Sequence, residues 1–500
     1  MSQLTTLRLL KGVDLTKDYT NTFKHSTLSA QTSFFIAKSQ HTFENLTYQR
    51  REGTIKVNKN VDTLYDINYL MFQNANYSNK WFYAFVVDME WLSEDTTKVT
   101  YEIDVMQTWA FEMDIKQSFV ERECVDSDGI GDHLVKENLE IGDLVIKDST
   151  DITELEDLIY IFVATEYFPE PTLPSGGIYT GVYSGLWYFA TDDESTLNDW
   201  IDHYNASGEI EKLITIFTMP KALVDTTSDL VLPSSVSKVI TETNSISHSS
   251  IDGYYPKNNK LYCYPYNFLE VTNNQGQSNI YRYEYFDVNF TGFRVTCNVA
   301  PSPVVYLEPI SYKGLAINGE EFLTLSDYPL SPWVGNAYET WLAQNQVSNA
   351  VKVGGSLIAL AGGAATANPL AIGGGLLGVA SSIGSFYEQS VKPDHAKGST
   401  SGGGNVARGK QTFTLLEKNI RYDNARIIDE YLSKYGYKVN RVKVPNITGR
   451  AYWNYVKLRD PNIFGDIPNK DISKISDNFE RGITFWHGDN VGNYSLDNSL

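Results

Sequence analysis

Cysteine is scarce in this 500-residue chain, which contains only Cys124, Cys263 and Cys297. The number is odd, the spacings are long and no CxxC pair occurs, so neither a disulfide framework nor a cysteine-ligated zinc site is expected. We expect the three to be reduced residues of the core. The N-terminal residues also lack the apolar run of a secretory signal peptide, which predicts synthesis and assembly inside a cell.

Motifs of the common hydrolases and metalloproteases are also absent, because the chain has no HExxH and no GxSxG. Residues 404–411 approach a phosphate-binding P-loop, but Gln411 stands where a Ser or Thr would hold magnesium. Residues 126–132 have the composition of a calcium loop without its full ligand pattern, so we interpret them as an acidic turn. We therefore expect no catalytic residue, no cofactor site, no metal site and no enzyme activity.

Positive charge is in the minority, with 41 Lys and Arg against 61 Asp and Glu and a net charge of −20. An acidic surface does not grip nucleic acid, because phosphate binding needs clustered basic residues. Such a surface favours solubility, and an acidic wall also lets DNA pass without adhesion. The composition, 42% hydrophobic and 20% charged, indicates a folded protein. The length predicts about two to four domains.

Aromatic residues are abundant, with 33 Tyr, 23 Phe and 9 Trp, and they favour strands and interfaces. Lys80–Val87 is aromatic and β-branched, Val99–Val105 alternates apolar and polar residues, and Leu158–Val163 is an apolar run. Each pattern predicts a strand. The Ser- and Thr-rich residues 234–250 are interpreted as a surface loop or linker. The chain is therefore expected to be mainly β.

Helices are predicted at Ala337–Val351 and at Leu415–Gly436, where the glycine fits a C-terminal stop. The remaining sequence up to Leu500 is expected to mix strands and loops, and no internal repeat is evident. The predicted fold class is mainly β with some α.

A charge-free stretch runs from Val353 to Tyr387, between Lys352 and Glu388. The pair Asn368–Pro369 interrupts it near its middle, so a single transmembrane helix is not expected. As a helix the second half would cover roughly 27 Å, against a hydrocarbon core of about 30 Å. A helical hairpin, or a segment that inserts only with partners, fits the sequence better.

Small residues recur at every fourth position in both halves of this stretch. They are Gly355, Ala359, Gly363 and Ala367 in the first half and Gly374, Gly378 and Ser382 in the second. This spacing allows close helix packing in lipid, while each glycine weakens a helix in water by about 1 kcal/mol. The small and apolar residues of the stretch are the predicted membrane-active set. They are Gly355, Leu357, Ile358, Ala359, Leu360, Gly363, Ala367, Leu370, Ile372, Gly374, Leu376, Leu377, Gly378, Val379, Ile383 and Phe386.

Three interpretations of the stretch stay open at this point. The stretch could be a loop buried in a large assembly, a plain membrane anchor, or a segment released only under certain conditions. The membrane-anchor interpretation does not explain why an otherwise soluble chain contains one such stretch. Conditional release explains the lipid-like composition and the soluble remainder together. The glycine- and serine-rich run at 399–404 is expected to act as a flexible hinge.

Three blocks of sequence resemble a known family. They are Leu64–Phe85, then Tyr101–Trp109 with Ser118–Glu123, and Lys434–Lys443 continued by Gly482–Ser495. These blocks resemble the distal tail knob proteins of small short-tailed phages with protein-primed DNA that infect Gram-positive bacteria, of the Salasmaviridae and Rountreeviridae type. The likeness is strong over about 1–125 and 405–500. It fades across about 150–350.

The resemblance implies a structural virion protein, assembled in the host cytoplasm, that forms a homo-hexameric tube at the distal end of the tail beside other tail proteins. Residues 1–150 and 405–500 would form one discontinuous β-rich tube domain, and 151–350 one or more inserted β-rich distal domains. Residues 351–404 would form the long apolar Gly/Ala-rich loop. In the family these loops plug the lumen. On infection they form a pore in the host cytoplasmic membrane, through which viral DNA passes without sequence-specific binding.

Two other functions stay open from the residues. The first is a receptor- or wall-binding adsorption module of the tail, with Trp187 and Tyr188 as candidate rings for stacking on sugars, although packing in the core is the simpler use of these side chains. The second is a wall hydrolase, which lacks a recognisable catalytic motif.

Overall fold

The structure is a computed structural model, and the residues that it describes fall into two compact units built from separate parts of the chain. Unit 1 comprises Met1–Ile141, Tyr254–Leu261 and Tyr422–Leu500, and unit 2 comprises Gly142–Gly253 and Tyr262–Arg421. The described residues are 5–46, 53–165, 187–209, 212–224, 236–240, 250–286, 292–297, 303–314, 322–326, 328, 330–332 and 411–500. The tube, distal and loop roles assigned to ranges of the sequence stay predictions.

Strands dominate both units, which confirms the predicted fold class. In chain order the strands are β1 (Thr5–Lys11), β2 (Asn21–Phe23), β3 (Ser39–Leu46), β4 (Thr54–Val57), β5 (Ile67–Asn74), β6 (Trp81–Ser93), β7 (Thr96–Ile103), β8 (Asp114–Ile115), β9 (Ser118–Glu123), β10 (Leu144–Asp151), β11 (Leu158–Ala164), β12 (Trp187–Thr191), β13 (Leu213–Pro220), β14 (Val236–Ile240), β15 (Asn267–Thr272), β16 (Ser278–Tyr281), β17 (Gly292–Cys297), β18 (Val305–Ile310), β19 (Leu323–Leu325), β20 (Leu330–Pro332), β21 (Thr414–Ile420), β22 (Tyr437–Lys443), β23 (Trp453–Arg459), β24 (Ile463–Phe464) and β25 (Ile483–Trp486). The α-helices among the described residues are α1 (Leu28–Ala37), α2 (Val105–Thr108), α3 (Glu194–Ala206), α4 (Tyr422–Tyr435) and α5 (Asn469–Arg481).

An antiparallel six-stranded sheet of unit 1 has the order β3-β1-β5-β6-β7-β4. The strand predicted at Lys80–Val87 is confirmed as part of β6. The alternation predicted from Val99 is confirmed as far as Ile103, because β7 buries every second side chain. The strand ends there because the carboxylate of Asp104 accepts hydrogen bonds from the backbone N–H groups that begin α2.

A five-stranded sheet joins the N-terminal and C-terminal parts of unit 1 in the order β2-β25-β23-β9-β22. The β2–β25 pair is parallel and the other pairs are antiparallel. Helix α5 also belongs to unit 1, so the expectation of strands and loops after Gly436 is wrong over Asn469–Arg481. The helix buries Ile475 and Phe479, which lie four residues apart on one face of an otherwise polar segment.

Unit 2 contains three four-stranded sheets, in the orders β10-β21-β15-β16, β12-β11-β13-β20 and β14-β17-β18-β19. The strand predicted at Leu158–Val163 is confirmed as β11, which is flanked by β12 and β13 and almost wholly buried. The loop predicted over 234–250 is wrong at Val236–Ile240, because these residues pair with β17. The rest of that range, apart from Ser250, lies outside the described residues.

The helix predicted at Leu415–Gly436 is wrong in its first part and confirmed in its second. Thr414–Ile420 pairs with β10 on one side and β15 on the other, so pairing and burial override its helical propensity. The chain turns helical only at Tyr422. The helix stops at Gly436 (φ 67°), whose N–H donates to the Leu432 carbonyl at 2.8 Å.

The three cysteines form no disulfide and are buried, which confirms the prediction of reduced core residues. Burial raises the pKa of the Cys124 thiol to about 11 and that of Cys297 to about 12, so both are unreactive thiols near neutral pH. Among the helices in the described parts of the chain, none combines the length and apolarity needed to cross a membrane.

Candidate functional site

The residues predicted to be membrane-active, from Gly355 to Phe386, all lie outside the described residues. The same holds for the predicted helix Ala337–Val351 and for the predicted hinge at 399–404. The structure does describe the chain on both sides of this stretch, at strands β20 and β21 of unit 2. The candidate site is therefore the pair of anchors between which residues 333–410 are inserted.

The anchor before the insertion is an edge strand. Strand β20 pairs with β13 through Leu330 opposite Phe217 and Pro332 opposite Thr215, and it lies at the end of its sheet. Two residues before it, Tyr328 is almost fully buried, and burial raises the pKa of its hydroxyl. An aromatic residue packed in the core therefore fixes the chain shortly before the insertion begins.

The anchor after the insertion is buried from its first described residues, Gln411 to Thr414. The Thr412 hydroxyl donates to the Ile152 carbonyl at 2.6 Å, and the Thr414 hydroxyl donates to an Asp151 carboxylate oxygen at 2.5 Å. The Ile152 N–H donates in turn to the Phe413 carbonyl at 2.9 Å. Side chain and backbone thus tie the returning chain to the end of β10.

The turn between β15 and β16, residues 273–277, hydrogen-bonds to the anchor after the insertion and to two residues that precede the other anchor, and we name it the anchor turn. Asn274 donates to the Thr412 carbonyl at 2.8 Å and to the Thr414 hydroxyl at 3.0 Å. Asn273 donates to the Thr324 carbonyl at 2.7 Å, and Gln275 to the Ser326 carbonyl at 2.8 Å. One turn therefore hydrogen-bonds to described residues on both sides of the insertion.

Gln411 closes this arrangement, because its amide donates to the same Ser326 carbonyl at 3.4 Å. The first described residue after the insertion is therefore held to Ser326, which lies four residues before β20. The sequence contains a signal for this turn, Asn-Asn-Gln-Gly between two apolar runs, but it gives no indication of which segments the turn contacts.

The acidic turn predicted at 126–132 is confirmed. The backbone N–H of Gly129 donates to the Asp132 carboxylate at 2.9 Å, and the Asp132 N–H donates to the Gly129 carbonyl at 3.1 Å. Asp128 points inward and accepts from the Tyr437 hydroxyl at 2.8 Å and from the Asn259 N–H at 2.9 Å. The turn joins separate segments of unit 1, a role that the sequence did not reveal.

Asp429, a buried carboxylate of unit 1, holds the short segment Tyr254–Leu261. It accepts from the Tyr254 hydroxyl and the Lys257 N–H, both at 2.8 Å, and from the Asn258 N–H at 3.1 Å. The three donors lie about 170 residues before Asp429 in the sequence. A buried carboxylate is tolerated when several N–H and O–H groups donate hydrogen bonds to it, as they do here.

Of the two rings proposed for sugar stacking, Tyr188 is buried and packs in the core of unit 2, so it is not available to a ligand. The side chain of Trp187 lies outside the described residues. No group of three or more His, Cys, Asp or Glu side chains suited to a metal occurs in the described ranges. The expected absence of catalytic, cofactor and metal sites stays a prediction.

Comparison with known proteins gives matches along the chain. The family model for the C-terminal domain of tail knob protein gp9 from Bacillus phage phi29 matches residues 234–499. The model for the N-terminus of the caudoviral major tail protein matches residues 3–116, which include the six-stranded sheet.

Whole-length relatives agree with these matches. Tail knob protein gp9 of Bacillus phage phi29 is 28% identical, and that of Bacillus phage PZA 27%, each over 99% of this chain and 98% of the relative. The solved structure of the bacteriophage C1 tail knob protein, gp12, has a TM-score of 0.58 at 14% identity over 98% of both chains. This last likeness shows that the two proteins share a fold.

Proposed function

This chain belongs to the tail knob family of gp9 from Bacillus phage phi29, as its sequence predicted, and on that premise we propose that six copies of it form the distal tube of a short virion tail. The observation that carries the proposal is the family match over more than half of the chain, joined to a tail-protein match over residues 3–116. In this proposal the protein is structural and has no enzyme activity.

The surface of unit 1 supports assembly into a ring. Many of its large apolar side chains are exposed, among them Tyr65, Trp91, Ile427, Val442 and Phe464. Apolar and aromatic side chains of this size are typical of the buried centres of protein interfaces. A ring would cover part of this surface, since identical subunits joined head to tail close into a ring when the rotation allows.

The insertion between the two anchors is proposed to plug the tube and to be released on infection, forming a pore in the host cytoplasmic membrane for genome ejection. Two features support this proposal. The insertion has no charged residue from Val353 to Tyr387, and the two anchors hold the chain on either side of it. At about 25 cal/mol per Å² of apolar area, burial inside the ring is favoured over exposure to water until a membrane offers the same gain.

The pore is tested by dye release from liposomes over several pH values. The wild type is expected to release dye, and a deletion of Val353–Tyr387 is expected not to. A sharper variant, Leu376→Asp with Leu377→Asp, keeps the length and adds two charges that oppose insertion. Ser399→Asp adds one charge outside the apolar stretch and is the control. Dye release by the deletion variant would overturn the proposal that the insertion forms the pore.

The ring and the lack of enzyme activity have separate tests. Native mass spectrometry of the assembled protein is expected to give six copies, and a stable monomer under virion-like conditions would contradict the tube. Zymography on host cell walls is expected to show no clearing. If the wild type clears a zone and a variant of one acidic residue does not, the protein would be a wall hydrolase and the structural role would be wrong.

A further inference from the structure

Unit 1 contains a cavity of about 780 Å³ with a buried floor and an aromatic mouth. Phe82, Tyr83 and Trp109 line the floor and are almost fully buried. At the mouth, Tyr77 and Phe111 each leave 39% of their surface exposed. Such a volume lies within the range of roughly 300–1,000 Å³ that is usual for small-molecule sites.

The walls of the cavity are held in place by contacts between distant segments. The Trp109 indole N–H donates to Asp471 of α5 at 2.9 Å, and Phe82 meets the same indole edge to face at 6.2 Å. Tyr77 in turn packs edge to face on Phe82 at 5.9 Å. Gly465 (φ 155°) lies so close to the Glu112 carbonyl that a β-carbon there would collide with it. The cavity is therefore preformed.

The charges in the cavity disfavour an anionic ligand, and the lysine among them covers one aromatic face. The Lys80 ammonium lies 2.7 Å from a Glu112 carboxylate oxygen and 3.6 Å from the centre of the Trp109 ring. This cation is already paired, and Asp466 adds a second carboxylate to the lining, so the net charge is negative and a phosphate or sulfate is disfavoured. The face of the Trp109 indole is unavailable to a ligand cation, because the Lys80 ammonium already lies over it.

We propose that this cavity binds an uncharged saccharide, such as the N-acetylated hexose units of a surface glycan. The apolar face of a pyranose ring packs on exposed aromatic rings such as Tyr77 and Phe111, and its hydroxyls donate to carboxylate oxygens such as those of Asp466. Ser78 and Asn79, exposed and held at φ 56° and 55°, bring further polar groups to the mouth. The saccharide site is distinct from the proposed tube and pore, and it lies in unit 1 and not in the middle of the chain.

Binding of chitotetraose to the assembled full-length protein tests the proposal, by saturation-transfer NMR and isothermal titration. Tyr77→Ala and Phe111→Ala change exposed side chains, and each is expected to lower the affinity at least fivefold. The control is Phe322→Ala, which removes a ring that is 47% exposed in unit 2, outside the cavity lining and outside the surface of unit 1 that supports the proposed ring. It is expected to leave the affinity unchanged.

Two results would overturn the saccharide site. The first is no detectable binding at millimolar chitotetraose, or binding that the Tyr77→Ala, Phe111→Ala double variant does not weaken. The second is that the wild type binds no saccharide and the double variant no longer assembles into the ring of subunits. The cavity would then be a contact between copies of the chain. Dye release by the two single variants is expected to equal that of the wild type, so failure of the saccharide site and failure of the pore are distinguishable.

Discussion

Unit 1 and unit 2 both have aromatic β cores, but they hold distant segments together by different chemistry. Unit 1 uses buried charges, because the Glu137 carboxylate lies between Arg122 and Lys260 and is itself fully buried. Unit 2 holds the chain on both sides of its insertion mainly with side-chain amides and hydroxyls around the anchor turn. The comparison indicates at which positions each unit tolerates a substitution. Removing one partner of a buried ion pair leaves a buried charge, whereas a neutral hydrogen bond contributes only about 0.5–1.5 kcal/mol.

The surfaces of the two units differ as well. In unit 2 the exposed large apolar side chains among the described residues are Leu144, Ile146 and Phe322. Unit 1 exposes many more, as its proposed role in the ring requires. A unit that has to keep a rigid interface benefits from buried charges that fix the positions of its segments.

The largest effect is expected from Lys260→Met, which leaves Glu137 with one cationic partner in a buried site. The free energy of unfolding of unit 1 is expected to fall by about 3–5 kcal/mol, as measured by urea denaturation. The control is Arg294→Met, which removes an exposed ion pair with Glu308 in unit 2 and is expected to cost less than about 1 kcal/mol. Equal losses in the two variants would remove the contrast between buried and exposed charge.

The next effect is expected from Asn274→Ala, which removes two hydrogen bonds of the anchor turn. The expected loss for unit 2 is about 1–3 kcal/mol, and dye release is expected to begin at a lower protein concentration because the anchor loosens. Thr165→Val is the control, since it removes one exposed side-chain hydrogen bond of unit 2, to the Lys212 carbonyl, that involves neither the anchor turn nor the anchors. Unchanged stability in Asn274→Ala would show that the anchor turn does not hold the insertion.

A smaller effect is expected from pH on unit 1. Burial and the neighbouring His487 and Lys24 lower the pKa of His25 to about 4, and burial also lowers the pKa of His487. A histidine whose pKa is lower in the folded state favours unfolding once the unfolded chain is protonated. Stability is therefore expected to fall as pH drops from about 6.5 to about 4, by on the order of 1 kcal/mol for this partly solvated group.

His25→Phe removes this titration and provides the measurement, because the ring faces Phe23, Phe34 and Phe35. Thermal denaturation at pH 7 and pH 4.5 is expected to give a smaller difference in the variant than in the wild type. An identical difference in both proteins would mean that other groups control the acid sensitivity of unit 1.

The smallest effect is expected from Thr27→Ala. The Thr27 hydroxyl accepts the Ala30 N–H at 3.1 Å and caps the N-terminus of α1. Loss of an exposed cap is expected to lower the free energy of unfolding by about 0.5–1 kcal/mol, and Thr27→Ser is expected to keep it. A loss above about 2 kcal/mol would indicate a packing role for Thr27 that its exposed position does not predict.

Local patterns predicted much of the fold, because they depend on near neighbours in sequence. The strands at Lys80–Val87 and Leu158–Val163 and the helix stop at Gly436 follow from residues within one element. The error at Leu415–Ile420 has a tertiary cause, since its two partner strands are remote in sequence. Helix α5 was missed because few of its residues are apolar.

The sites depended on information that a single sequence lacks. Glu137 and Lys260 are 123 residues apart, and Asn258 and Asp429 are 171 apart, so no local pattern links them. Thr412 and Asn274 likewise meet only in the folded unit. The apolar stretch differs from these sites, because the sequence alone shows its composition. Its action in a membrane stays a prediction.

The most direct test of the central claim is dye release from liposomes by the assembled wild-type protein and by the Val353–Tyr387 deletion, both checked for an intact ring. Release by the wild type alone is expected, and it would assign the membrane activity to the insertion. Equal release by both proteins would contradict the account, because the pore would then have to come from another part of the chain.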